Sequence, residues 1–194
     1  MGSELARAVQ RGEGGPTKII GLFDEYTPGR NALAEELGRN QEPAPVEADT
    51  VAELIGLTRM QLIVECASQA AVTAHAEAVL TAGKSMLVMS SGALVSADFM
   101  RKVMRAAEAS GASIYVPSGA VGGIDALRAS KALLEEVTIV STKKPIALSG
   151  APGFAKWENV DITEPTVIFE GSAAEAVGLF PANVNVAATV SMAG

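Results

Sequence analysis

Short, continuously apolar runs alternate with longer amphipathic stretches along this chain. Residues 18–23 (KIIGLF), 62–66 (LIVEC), 85–89 (SMLVM) and 113–116 (SIYV) are compact apolar runs bounded by turn residues, and each predicts a buried strand. Between them, residues 3–11, 31–37, 50–57, 69–82 and 96–110 carry apolar side chains at helical spacing and predict helices. Ser96 is placed as the N-cap of the last of these and Gly111 as its C-cap. Residues 38–48 (GRNQEPAPVEA) hold two prolines and read as loop. Strands that are apolar on both faces and joined by helices predict an α/β protein with a parallel sheet covered on both sides. In open sheets of this type ligands bind beyond the carboxyl ends of the strands. The residues to read for chemistry are therefore Asp24, Ala67-Ser68, Ser90-Ser91-Gly92 and Pro117–Gly123.

After Gly123 the strict alternation lapses. The pattern predicts a helix over 124–136, a half-exposed strand over 137–142, a strand over 166–169 and a short helix over 172–179. Residues 145–163 are rich in Pro, Gly and Asn. A second, α+β domain is the expectation, with the chain divided into residues 1–116 and 117–194.

Composition narrows the function classes. With 194 residues the chain is long enough to bury roughly 70% of its unfolded surface. Its mean hydropathy of +0.28 argues against disorder. The net charge of −7 argues against nucleic acid and against an anionic membrane surface as partners. No apolar run approaches the ~18 residues of a spanning helix. A single cysteine excludes a disulfide framework and points to a reducing, cytoplasmic compartment.

Several residues are candidates for chemistry, each with a plainer alternative. Asp24 ends a strand, where an acid can accept the hydroxyls of an adenine ribose and repel a 2′-phosphate; a solvated turn acid is the alternative. Gly2 opens a helix and fits the last position of a G-x-G-x-x-G turn. Cys66 reads as a small buried residue at a strand end, since a nucleophile needs a base. His75 lies beside the apolar stripe of its helix, where packing is the stronger reading, and one histidine with one cysteine makes zinc binding a poor fit. Ser90–Leu94 either lines a cleft or caps the next helix. Gly119, Gly122 and Gly123 fall within five positions, which implies close backbone approach to a ligand or a tight crossover between domains. Lys143 and Lys144 offer cations to a carboxylate or to solvent. Residues 180–186 (FPANVNV) either fix a nicotinamide or cap the last helix.

The stretches VECASQAAV (64–72), GKSMLVMSSGAL (83–94), YVPSGAVGGIDAL (115–127), STKKP (141–145) and IFEGSAAEAVGLFPANVNVAATVSMAG (168–194) together resemble L-aspartate dehydrogenase of the prokaryotic type. The pairing of SGAVGGIDAL with FPANVNVAAT carries the specificity. The resemblance implies a Rossmann-like dinucleotide-binding domain plus part of an α+β substrate and dimerisation domain, acting as a cytoplasmic homodimer. It implies oxidation of L-aspartate with NAD to iminoaspartate, which hydrolyses to oxaloacetate and ammonia and feeds NAD biosynthesis; some members also use NADP. Carried over by position, the cofactor residues are Gly2, Asp24, Ala67, Ser68, Ser91, Ala120 and Asn185, and the substrate residues Lys144 and Gly122. The family also carries a strand with a G-x-G-x-x turn ahead of the position of Gly2, and a catalytic histidine downstream of the ANVNVAAT helix. His75 does not match that position. Read this way, the chain is expected to be truncated at both ends and inactive as it stands. A nucleotide-binding module without turnover is one alternative. An oxidoreductase of the homoserine dehydrogenase or dihydrodipicolinate reductase type is another.

Overall fold

The structure is a computed structural model that describes residues 1–182 and 184–193. Asn183, within the predicted run 180–186, and Gly194 lie outside the described residues. Among the described residues five short strands, all paired in parallel, form two sheets. β1 (Gly21–Leu22) pairs with β2 (Val46–Glu47), and β4 (Ser85–Val88) lies between β3 (Leu62–Glu65) and β5 (Ile114–Tyr115). In register, Leu62 faces Ser85, Glu65 faces Val88 and Met86 faces Ile114. Among the described residues no ladder joins the two sheets.

The helices are α1 (Gly2–Gln10), α2 (Thr27–Gly38), α3 (Val51–Gly56), α4 (Gln69–Thr81), α5 (Ala97–Ser110), α6 (Ile124–Ser130), α7 (Ala173–Leu179) and α8 (Asn185–Ala193). Their ends follow the capping residues in the sequence. Thr50, Ser68 and Ser96 each accept a hydrogen bond from the backbone N–H three residues on. Ser172 and Glu175 form a full capping box on α7. Gly111 takes the left-handed conformation (φ 75°) that ends α5, as its sequence position predicts.

The main core lies between α4, α5 and the larger sheet. Val72, Val79, Leu80, Met86, Val88 and Val103 are each at most 2% exposed, and together they seal the underside of β3 and β4. Burial of that order is the largest favourable contribution to such a fold. A smaller cluster of Ala48, Leu54 and Met60 packs against Ile20, Phe23 and Ile63, and so joins the two sheets through side chains. A third, around Phe154, Phe180 and Val184, holds α7 against the irregular segment before it.

Four sequence expectations are corrected. The first apolar run pairs only at Gly21 and Leu22. Residues 46–47, expected as loop, form a strand because Val46 and Ala48 donate to the carbonyls of Ile20 and Leu22 at 3.0 and 2.9 Å. The helix predicted over 124–136 ends at Ser130 and gives way to a single 3₁₀ turn. Residues 137–142 and 166–169 are not strands. Their alternating pattern fits a pleated backbone, but a strand exists only through a hydrogen-bonded neighbour. Val140 and Val167 stand 88% and 75% exposed there.

Candidate functional site

The parallel arrangement puts the loops after β3, β4 and β5 at one edge of the larger sheet, and α8 closes over that edge. The loop after β4 is the junction. Ser91–Val95 winds as a 3₁₀ turn whose first four residues are buried. The Ser91 hydroxyl donates to the Asn185 carbonyl at 3.0 Å and lies 3.1 Å from the Thr189 hydroxyl. The Gly92 N–H donates to Asn185 Oδ1 at 3.2 Å. Gln69, at the start of α4, donates through Nε2 to the Pro181 carbonyl at 2.7 Å. A Cβ on Gly92 would meet the Gln69 side-chain amide, so a larger residue there would push Gln69 away from its place. These bonds bring residues near 70, 90 and 185 into one cluster. Only 2% exposed, Ser91 acts there as a tether, with its hydroxyl engaged by α8.

Beneath this junction Glu65 is 6% exposed at the end of β3. Its Oε1 accepts from the Ala67 N–H at 2.7 Å and the Ser90 hydroxyl at 2.9 Å, and its Oε2 accepts from the Ser90 N–H at 2.9 Å. A buried carboxylate with three donors is fully satisfied. Next to it, Cys66 is half-buried, and burial together with the Glu65 charge pushes its thiol above the usual range. Ser68 is exposed and caps α4 through the Ala71 N–H.

Asp24 stands exposed just beyond β1, with Oδ1 accepting the Tyr26 N–H at 2.8 Å. Its other oxygen has no protein partner among the described residues. The first turn of α1 has no side-chain cap, and a Cβ placed on Gly2 would rest in ordinary contact, 3.5 Å from the Cys66 side chain. The start of α1 therefore abuts the end of β3 with its amides uncapped, an arrangement that suits an anionic group. Ala120 and Gly122 lie exposed in the turn between β5 and α6. Gly119 (φ 60°) and Gly123 (φ 81°) are left-handed in that turn, and open space surrounds Gly122. An acid free to accept hydroxyls at one strand end, uncapped helix amides and an open glycine turn at the others fit a dinucleotide.

Lys144 is placed elsewhere. With Lys143 it lines a groove of about 1340 Å³ whose walls include Val140, Val167, Phe169 and Val190. Neither lysine is in an ion pair among the described residues. His75, half-buried on α4, is outside the junction. Among the described residues no group of three or more His, Cys, Asp or Glu side chains is arranged to hold a metal. Among the described residues no helix is long and apolar enough to cross a membrane.

Glu65, Gln69 and Thr189 were not singled out by the sequence reading. Glu65 left one signal, an acid closing an otherwise apolar strand (LIVE). Gln69 and Thr189 left none, because their partners are distant in sequence.

The fold and its loop edge define a Rossmann-like, dinucleotide-binding α/β unit followed by a C-terminal domain. Residues 1–117 match the family profile "Homoserine dehydrogenase, NAD binding domain", and residues 125–194 match "Aspartate dehydrogenase, C-terminal". L-aspartate dehydrogenase of Methanocella arvoryzae is 38% identical over 198 residues, and that of Methanosarcina barkeri 44% over 197; each alignment covers all of this chain and 70% of the relative. The crystal structure of aspartate dehydrogenase from Thermotoga maritima superposes with a TM-score of 0.66 at 28% identity, covering 93% of this chain and 66% of that one. The chain belongs to the aspartate dehydrogenase family, and it spans about 70% of the length of the curated relatives it matches.

Proposed function

We propose that the protein oxidises L-aspartate with NAD to iminoaspartate, which hydrolyses to oxaloacetate and ammonia. The observation that carries this reading is the junction of Ser91 and Gly92 with Asn185, which joins the two family-matched parts of the chain at the sheet edge where dinucleotides bind. The dinucleotide supplies the hydride acceptor.

The chain's own residues supply position. Asp24 accepts the adenine-ribose hydroxyls and disfavours a 2′-phosphate, which favours NAD over NADP. The amides at Gly2 and Ser68, with the loops at Ala67 and Ser91, carry the backbone of the cofactor, and Ala120 and Asn185 hold its nicotinamide half. Lys144, in its groove, is the candidate for a substrate carboxylate, and Gly122 offers open backbone in the separate turn after β5. Holding aspartate over the ring at near-attack distance is the main rate contribution such a site makes. Residues 1–116 form the dinucleotide-binding part, and residues 117–194 supply the substrate and subunit contacts together with Ala120 and Asn185. A cytoplasmic homodimer that feeds NAD biosynthesis completes the reading.

The test is NADH formation by the purified chain with aspartate or with homoserine, and NADH consumption with dihydrodipicolinate, each followed by absorbance. Turnover with aspartate alone supports the proposal. NADH binding without turnover on any substrate points to a nucleotide-binding module. Turnover on either competing substrate and not on aspartate overturns the proposal.

A further inference from the structure

Among the described residues Glu65 is the one buried acidic side chain at the sheet edge, and the reaction as proposed makes no direct use of it. Its carboxylate accepts from Ala67 in the loop after β3 and twice from Ser90 in the loop after β4. Those loops leave adjacent strands, and 25 residues separate Glu65 from Ser90 in sequence. Immediately after Ser90 come the two residues gripped from the opposite side by Asn185. The loop at residues 90–92 is thus held from below by Glu65 and from above by α8.

We infer that Glu65 is a positioning residue for the dinucleotide: it fixes the loops after β3 and β4 at one spacing, so that they meet the cofactor and Asn185 together. Three donors converge on one carboxylate, and only a side chain that accepts at both oxygens satisfies them all. Glutamine keeps the shape but turns an N–H₂ toward Ser90 or Ala67, so at least one of the two backbone N–H bonds to residue 65 is lost. Aspartate is one methylene too short to reach both loops. The inference rests on the reading of this edge as the dinucleotide site.

The experiment compares wild type, Glu65→Gln and Ser90→Ala by isothermal titration with NADH and with AMP, and by amide hydrogen exchange of the ligand-free proteins. The cost of an unmade buried hydrogen bond corresponds to roughly tenfold in affinity, so the NADH dissociation constant of Glu65→Gln is expected to rise about tenfold. The AMP constant is expected to stay within about twofold, because Asp24 on the separate smaller sheet reads that half. Exchange at the Ala67 or the Ser90 amide accelerates in the same variant. Ser90→Ala removes only the hydroxyl and is expected to show about a threefold rise for NADH, which reads the same contact if Glu65→Gln does not fold. Unchanged NADH affinity, or an equal loss for NADH and AMP, overturns the positioning role. Wild type that binds neither ligand overturns the dinucleotide reading itself, and exchange at Ala67 and Ser90 still reports whether Glu65 holds the loops.

Discussion

Asn185 Oδ1 accepts the backbone N–H of Gly92 across 93 residues of sequence. Asn185→Ala leaves that amide without its partner and is expected to lower stability by about 1 kcal/mol. Asn185→Asp keeps the acceptor and holds stability within about 0.5 kcal/mol of wild type. Both lose the side-chain N–H₂ and are expected to bind NADH more weakly. Urea unfolding and NADH titration on the same samples separate the two effects; full affinity in both variants removes Asn185 from the cofactor residues.

Asp24 has one oxygen on Tyr26 and one facing outward. Asp24→Ser removes the charge that repels a 2′-phosphate. NADPH affinity is expected to rise and NADH affinity to fall, by a combined shift of about tenfold in their ratio. Parallel titrations with the two nucleotides measure it.

Gly153 lies against the Phe180 ring. A Cβ there would come within 2.6 Å of Phe180 Cε2 and 3.0 Å of the Leu179 Cβ. Phe180 is 6% exposed and meets Phe169 edge-on with ring centroids 5.7 Å apart, so moving the ring breaks that contact. Gly153→Ala is expected to cost about 1–3 kcal/mol in chemical unfolding. Gly56→Ala, at the end of α3 with nothing within 4 Å, serves as the tolerated control.

Arg7 on α1 donates to both carboxylate oxygens of Glu36 on α2, at 2.8 and 2.9 Å. Those bonds hold the Glu36 carboxyl below the usual range. A carboxyl depressed in the folded state stabilises fully above its unfolded pKa, and that contribution is lost as pH falls through the folded value. Arg7→Met is therefore expected to lower the melting temperature near neutrality, with the gap to wild type closing from about pH 5 downward. Melting curves of both proteins across that range give the answer.

Cys66 is raised by burial first and by Glu65 second, which lowers its thiolate fraction at neutral pH. Alkylation by iodoacetamide is expected to run slower than for a free thiol and to reach the ordinary rate in urea. Mass spectrometry follows it directly. Rapid labelling of the folded protein would show the thiol to be open and ionised.

The parts of the fold legible in the sequence are those that carry their own signal. β3, β4, α4 and α5 announce themselves because each buries a face and the period of that face is written locally. β2 does not: Val46 and Glu47 are exposed, follow two prolines and exist only through the backbone of residues 20–22. The reverse error occurs at 137–142 and 166–169, where the period is right and no neighbouring strand accepts it. The site divides the same way. Asp24, Ser91 and Asn185 could be found by position after a strand or by resemblance. Glu65 and Gln69 act through partners 25 and 112 residues away, a relation that one-dimensional spacing does not hold.

The two unladdered sheets mean that the molecule need not come apart in one step. β1 and β2 share two residue pairs and lean on the rest through the Ala48–Leu54–Met60 cluster and the Arg7–Glu36 pair. That lobe can detach while β3, β4 and β5 keep every rung, and it takes Asp24 with it. A nucleotide that spans both lobes acts as a brace between them. Its absence should first be felt as proteolytic nicking in residues 12–50 rather than as global collapse.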